Sequence, residues 1–303
     1  MQNTTALGII GYGEVGGIFA RGLLGKTGIA SVHAWDLKFA GGAGEQAQTA
    51  ASAEGVQPVA SMAALCAQVT LLVSAVTASN TLAVAEEAAR HARPGTVFLD
   101  LNSASPGTKQ RAAAALESVG AHYVEAGVMT SVPPYGIRVP MLLGGTQAVA
   151  LAATLNAWGM DAKPVSDKLG VASAIKMSRS IMIKGLEALV VEAYTNARAY
   201  GVEDHVLPTL QETFPQIDWS QQGAYFFSRV VQHGKRRAEE MRESANTVKE
   251  TGFEPTMASA IAAKQDWVAS LAREGVFHGL TGQSPWQAYA DRLLAQRAQD
   301  NVS

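Results

Sequence analysis

The segment Ala6-Leu7-Gly8-Ile9-Ile10-Gly11-Tyr12-Gly13-Glu14-Val15-Gly16 constrains the fold more than any other stretch of the chain. An apolar run that stops at Gly-x-Gly-x-x-Gly predicts a buried strand, a tight turn and a helix, here Gly17 to Leu24. Gly11 permits the turn, Gly13 lets the backbone approach a pyrophosphate, and Gly16 lets helix and strand pack closely. The helix N-terminus then faces the phosphates with its unpaired N–H groups. The next strand, Val32-His33-Ala34-Trp35, ends on Asp36, about 20 residues downstream, where an acid of this fingerprint accepts hydrogen bonds from the adenosine ribose. Motif, spacing and flanking elements agree, so the segment predicts a dinucleotide site rather than an ordinary glycine turn. A carboxylate at this position repels a ribose 2′-phosphate and favours NAD; the neighbouring Lys38 leaves NADP possible.

Up to about residue 165, short apolar runs alternate with alanine-rich segments, which predicts parallel strands joined by helical crossovers. The expected strands are Ala6–Ile10, Ser31–Trp35, Val69–Ser74, Thr96–Leu101, His122–Ala126 and Val139–Gly144. Ala85–Ala89 and Lys109–Leu116 are rich in helix formers, and Pro106 suits the first turn of the second helix. Beyond about residue 166 the strand pattern fades. Ile181, Leu186, Leu189, Val190 and Ala193 recur at helical spacing and are expected on the buried side of one long helix. Pro208, Pro215, Pro255 and Pro285 mark expected breaks, and Thr251-Gly252-Phe253-Glu254-Pro255 reads as a stop followed by a restart. The expected architecture is an α/β Rossmann domain over residues 1–165, doubly wound with a mainly parallel sheet. An all-helical domain for substrate binding and dimerisation follows over residues 166–303.

At 303 residues the chain is long enough for two such domains. A net charge of -2 and the lack of any Lys/Arg block exclude an electrostatic case for nucleic acid or an anionic membrane. A small molecule is the expected partner. Cys66 is the single cysteine, which rules out an internal disulfide and fits a reducing cytoplasm. No run approaches the roughly 18 apolar residues of a membrane helix, and Met1–Gly13 has no basic region ahead of an apolar stretch, so neither secretion nor anchoring is expected. The six histidines are scattered without ligand spacing, and no metal site is expected. There is no Gly-x-Ser-x-Gly nucleophile elbow.

Three further segments resemble the beta-hydroxyacid dehydrogenase family, relatives of 6-phosphogluconate dehydrogenase. Asp100-Leu101-Asn102-Ser103-Ala104-Ser105-Pro106 is similar to the family's Asp-x-Ser-Thr-x-x-Pro turn, which implies a Ser103 hydroxyl beside the nicotinamide. Glu125-Ala126-Gly127-Val128-Met129-Thr130-Ser131 stands where the family has Asp-x-Pro-Val-Ser-Gly-Gly. There Met129 replaces the serine that binds the substrate carboxylate, and Val132-Pro133-Pro134-Tyr135-Gly136 is stiffer than the glycine-rich continuation. Gly170 followed by Lys176 resembles the segment whose lysine is the catalytic acid/base; Ser180 replaces the family's asparagine. A second family lysine, in a Lys-Asp pair, falls on Glu239-Glu240 here. The Val128–Gly136 stretch and His233–Glu243 resemble a subgroup whose C-terminal domain, of phosphogluconate dehydrogenase type, has no known function. The resemblance implies cofactor contacts from Gly11, Tyr12, Gly13, Glu14, Val15, Gly16, Asp36, Ser74, Ala75, Val76, Asn102 and Ser103. It also implies a homodimer or higher homo-oligomer.

Oxidising an alcohol with NAD sends a hydride to the cofactor and the hydroxyl proton to a base, so Lys176 accepts that proton only when neutral. Working near neutral pH requires a fall of about 3 units from the free value near 10.4, which burial and the positive nicotinamide ring both favour. Lys176 and Ser180 fall on one helical face. With the family serine missing, substrate contacts are expected from Met129, Thr130, Ser131, Ser180, Arg236 and Arg237, with Arg138 a further candidate. His233, Arg236, Arg237 and Glu240 share a face, a pattern that is more often a solvated charge network than a ligand clamp. The expected activity is NAD(P)-dependent oxidation of a small 3-hydroxy acid or related alcohol. The rivals are an imine or ketimine reductase, against which Lys176 argues, and a non-catalytic NAD sensor.

Overall fold

Leu7 and Ile9 of strand β1 (Thr5–Ile10) point to one face of a sheet and Ile10 to the other, the period-two pattern of a strand buried on both sides. The computed structural model describes residues 5–40 and 44–300. Along the chain follow α1 (Glu14–Leu23), β2 (Ile29–Trp35), α2 (Gly44–Ala53), β3 (Gln57–Pro58), α3 (Met62–Gln68), β4 (Leu71–Ser74) and α4 (Thr81–Ala89). Next come β5 (Val97–Asp100), α5 (Pro106–Glu117), β6 (His122–Val128), β7 (Pro140–Gly144), α6 (Ala148–Ala157) and β8 (Asp161–Ser166). All six expected strands are present. Pro106 opens α5, whose N-cap Ser105 accepts a hydrogen bond from the Thr108 N–H.

The strands form one eight-stranded sheet in the order β3-β2-β1-β4-β5-β6-β7-β8. Helices α1, α2 and α6 cover the face that carries Leu7 and Ile9; α3, α4 and α5 cover the other. Six of the strands run in the doubly wound order 3-2-1-4-5-6, which reverses direction between β1 and β4. The sheet is mainly parallel, as expected. The exception is β7, which runs antiparallel to β6, with Glu125 opposite Gly144. The connection over residues 129–139 holds only a single 3-10 turn, Gly136–Arg138, instead of a crossover helix, and without one the chain returns antiparallel. Helix α6 then restores a parallel crossover to β8.

The chain divides into two units, Met1–Met177 and Ser178–Ser303, and the sheet lies in the first. Helix α7 (Val171–Tyr200) runs through the division and is followed by α8 (Glu203–Thr213), α9 (Trp219–Glu250), α10 (Thr256–Arg273) and α11 (Trp286–Asp300). The helical unit has its own core, built on Val191, Tyr194, Phe227, Val230, Val268, Trp286 and Tyr289. Gly252, at φ 85°, separates α9 from α10 as the stop-and-restart pattern predicts. Pro215, Pro255 and Pro285 lie outside helices, but Pro208 sits inside α8 and does not break it. That helix buries no residue, so water can satisfy the carbonyl that the proline leaves without its N–H partner.

The buried side of α7 also differs from the expectation. Val190 is buried, whereas Ile181 and Leu186 are half-buried and Leu189 and Ala193 are exposed. Met177, Ser180, Lys184, Glu187, Val191 and Tyr194 form the buried stripe instead, so three polar side chains lie where apolar ones were expected. Cys66 is fully buried on α3, and burial pushes its thiol pKa up to about 11.

Candidate active site

The glycine turn has the geometry its spacing predicts. Gly11 adopts φ 87°, and a Cβ there would come within 2.6 Å of the Ala75 carbonyl oxygen. A Cβ on Gly16 would stand 1.9 Å from the Gly11 carbonyl oxygen, so only glycine lets α1 start this close to β1. At Gly13 a Cβ would meet no atom within 4 Å, so the chain's own packing does not demand glycine there. Gly13 is the N-cap of α1 and offers no side chain to its first N–H groups.

Asp36, at the end of β2, holds this turn. Its Oδ2 accepts the Tyr12 N–H at 2.6 Å and its Oδ1 accepts the Lys38 N–H at 2.8 Å. Sequence reasoning missed Glu54, which accepts the Tyr12 hydroxyl at 2.6 Å and pairs with Arg21 at 3.0 Å. Burial, then the Glu54 carboxylate, pushes the Tyr12 phenol up to about 12. Tyr12 and Arg21 lie 42 and 33 residues from Glu54 in sequence, beyond any local pattern.

Beside the turn, the ends of β4 and β5 are tied by Asn102. Its Oδ1 accepts the Val76 N–H at 2.7 Å, and its Nδ2 donates to Ser74 Oγ at 2.9 Å. The Ala75 N–H donates to the Ile10 carbonyl at 2.8 Å, which binds this segment to the end of β1. Asp100 anchors the loop that carries Asn102 and Ser103: its Oδ1 accepts the Asn102 N–H at 2.8 Å and faces Lys109 Nζ at 2.9 Å, and its Oδ2 accepts the Tyr123 hydroxyl. All three side chains of this cluster are buried. Burial, then the Asp100 charge, pushes the Tyr123 phenol well above its usual range.

Lys176 lies in the second turn of α7, and its Nζ donates to Ser103 Oγ at 2.6 Å. The first turn of α7 is held by Glu125, a fully buried carboxylate on β6 that the sequence reading did not single out. Glu125 Oε1 accepts the Gly170 and Ala172 N–H groups at 2.7 and 3.1 Å. Oε2 accepts the Ser173 N–H at 3.3 Å and the Ser173 hydroxyl. A negative group at a helix N-terminus, accepting its unpaired N–H groups, is favourable twice over. The available signal was that Glu125 opens the segment aligned with the family's substrate loop, whose first residue is an aspartate. Gly127 lets this helix approach: a Cβ there would meet the Ala172 carbonyl oxygen at 2.9 Å and Lys176 Cβ at 3.5 Å.

The first unit thus brings together the glycine turn, Asp36, the Ser74–Val76 segment, Asn102, Ser103 and Lys176. Met129 and Ser131 are half-buried and Thr130 exposed, in the loop after β6, where the Met129 N–H donates to the Pro140 carbonyl at 2.9 Å. Arg138 is exposed in the same loop. The remaining expected contacts lie in the helical unit. Ser180 is buried and accepts a hydrogen bond from Lys184 at 3.2 Å; Arg236 pairs with Glu240 at 2.5 Å; Arg237 is buried against Glu187. No group of three or more His, Cys, Asp or Glu among the described residues could hold a metal ion. None of the described helices is long and apolar enough to cross a membrane.

A glycine turn at the switch point of a doubly wound sheet, an acid closing the next strand and a following helical region define an NAD(P)-binding fold like that of the 3-hydroxyacid dehydrogenases. The model of the NAD binding domain of 6-phosphogluconate dehydrogenase matches residues 6–154, and that of a domain of unknown function (DUF1932) matches residues 197–268. The chain belongs to the beta-hydroxyacid dehydrogenase family, relatives of 6-phosphogluconate dehydrogenase. Among solved structures, a conserved hypothetical protein from Sinorhizobium meliloti is 36% identical, with 98% of this chain and 97% of that one covered and a TM-score of 0.77. A 3-hydroxyisobutyrate dehydrogenase from Mycobacterium tuberculosis, solved with L-serine, is 15% identical over 96% of this chain and 99% of that one, with a TM-score of 0.68. A reductive aminase from Aspergillus terreus is 19% identical over 96% and 99%, with a TM-score of 0.56. The last two likenesses show the fold alone.

Proposed function

We propose that the protein is an NAD(P)-dependent dehydrogenase that oxidises the hydroxyl of a small 3-hydroxy acid or related alcohol, with Lys176 as general acid/base. The observation that carries this reading is the 2.6 Å hydrogen bond from Lys176 Nζ to Ser103 Oγ, which sets an amine against the loop that follows β5. The residues present suit a dinucleotide. Gly13 needs no glycine for packing, a Cβ on Gly16 has no room, and the N-terminus of α1 offers unpaired N–H groups to a pyrophosphate. Asp36 keeps lone pairs for a ribose beyond the two it gives to backbone N–H groups, which supports NAD over NADP.

When bound, the nicotinamide supplies the hydride acceptor or donor. Gly11, Tyr12, Gly13, Glu14, Val15 and Gly16 would hold the cofactor's phosphates, and Ser74, Ala75, Val76, Asn102 and Ser103 would contact the rest of it. Lys176 takes the hydroxyl proton at Nζ in oxidation and returns it in reduction. Met129, Thr130 and Ser131 contact the substrate. The same reading assigns cofactor binding to residues 1–165 and substrate binding and dimerisation to residues 166–303, in a cytoplasmic homo-oligomer that sedimentation would reveal. An imine reductase would share this fold, and Lys176 argues against it.

The test is a screen of 3-hydroxy acids with NAD and NADP, beside NADH binding measured by fluorescence. Lys176→Ala is expected to keep NADH affinity and lose roughly 100- to 10,000-fold in turnover, the range for a lost general acid/base. Equal turnover by the two proteins overturns the assignment of Lys176. NADH binding with no turnover of any hydroxy acid favours an NAD sensor.

A further inference from the structure

The helical unit concentrates positive charge where the chain as a whole, at -2, has none to spare. Arg229, His233, Arg236, Arg237 and Glu240 recur along α9 at helical spacing, and Lys184 and Glu187 join them from α7. Two of these cations are committed. Arg237 is buried and gives its Nε to Glu187 Oε2 at 2.9 Å and its Nη2 to Oε1, with Gln265 Nε2 from α10 donating to the same carboxylate at 3.4 Å. Lys184, also buried, lies 2.9 Å from Glu240 Oε2.

The remaining cations have too few carboxylates to share. Arg236 reaches only the other oxygen of Glu240, at 2.5 Å, and its side chain is 52% exposed. Arg229 is half-buried and makes no ion pair or side-chain hydrogen bond among the described residues. The ion pairs of Lys184, Arg236 and Arg237 all go to Glu187 and Glu240, which leaves the half-buried Arg229 without a direct counterion among the described residues and Arg236 sharing a carboxylate with Lys184. Desolvation and the three arginines also keep His233 neutral, with its pKa pushed down to about 4, so the imidazole is available as a neutral hydrogen-bonding group. Clustered like charges at the edge of a low-dielectric region repel one another. They match the fork geometry with which guanidinium groups take carboxylate or phosphate oxygens.

We propose that Arg229 and Arg236 of α9 form a binding site for a small oxyanion, a carboxylate or phosphate group, with Arg237 locked by Glu187 as its fixed positive neighbour. The site belongs to the helical unit and stands independently of the role given to Lys176. Arg237 acts as a positioning residue, since both its bonds are to Glu187.

Titration calorimetry of the full chain at low ionic strength, with inorganic phosphate and with malonate as probes, tests the site. Saturable binding of at least one probe is expected, and the tighter of the two identifies the oxyanion geometry. Arg229→Gln and Arg236→Gln should each weaken it about tenfold, and the double variant should abolish it. Arg242→Gln is the control, because Arg242 lies on the same helix but pairs with Asp266; it should leave affinity unchanged. Far-UV circular dichroism and an unchanged urea midpoint confirm that each variant is folded. The proposal is overturned if neither probe saturates the wild type, or if Arg242→Gln weakens binding as much as Arg229→Gln. None of these readouts needs turnover, so an inactive protein that binds malonate sinks the dehydrogenase reading and leaves the anion site standing.

Discussion

Glu125 offers the sharpest test of how the site is held. Replacing it with alanine removes the acceptor of the Gly170, Ala172 and Ser173 N–H groups and of the Ser173 hydroxyl. Ala172 and Ser173 are buried, so water does not readily replace the carboxylate. A buried donor left without a partner costs about 1–3 kcal/mol. Three backbone donors at the low end give about 3 kcal/mol, and the loss of a charged buried partner sets the upper range at about 5 kcal/mol. Against a typical total of about 5–15 kcal/mol, that is a large fraction of the stability. Glu125→Gln keeps one acceptor oxygen and turns an amide N–H₂ toward donors, so it should fall between wild type and alanine. The assays are urea denaturation and hydrogen exchange at residues 171–174. Exchange there should accelerate in both variants, because the first turn of α7 loses its cap. A Glu125→Ala protein within about 0.5 kcal/mol of wild type, the usual span for a neutral surface change, with equally slow exchange at 171–174, would refute the reasoning.

Two further outcomes follow from single distances and surroundings. Gly16→Ala places a Cβ 1.9 Å from the Gly11 carbonyl oxygen, so the glycine turn must open; NADH affinity should drop at least tenfold in a fluorescence titration, and an unchanged affinity would contradict the packing. His233 takes a proton in the unfolded chain below about pH 6.5 but in the folded chain only near pH 4, because desolvation and then Arg229, Arg236 and Arg237 disfavour its charged form. The unfolded state therefore binds more protons between those values, and stability should fall as pH drops from 6.5 toward 4. His233→Asn should flatten that part of the profile, as read by denaturation at a series of pH values; an identical slope would rule the histidine out.

The glycine turn and Asp36 were legible because each is decided locally, by neighbours within one βα unit. The weak points lay where distant contacts decide. Asp161–Ser166 is a sheet-edge strand with a proline and mostly exposed or half-buried residues, so it carries no apolar run to read. The direction of β7 depends on the loop before it, which composition does not report. On α7, Lys184 and Glu187 are buried because their counterions stand on α9, about 50 residues away, and periodicity read such residues as solvent-facing. The candidate site divides in the same way. Lys176 and Ser103 were found through a resemblance, and the 73 residues between them hid their hydrogen bond. Glu125 and Glu54 went unnoticed because their partners are equally remote.

Cys66 has a practical consequence. Thiol chemistry needs an accessible thiolate, and this group is fully buried, with a pKa near 11. A cysteine introduced at an exposed position would then be the one thiol open to alkylation. Fluorophores or spin labels can therefore be placed at exposed positions in either unit without first editing the native sequence.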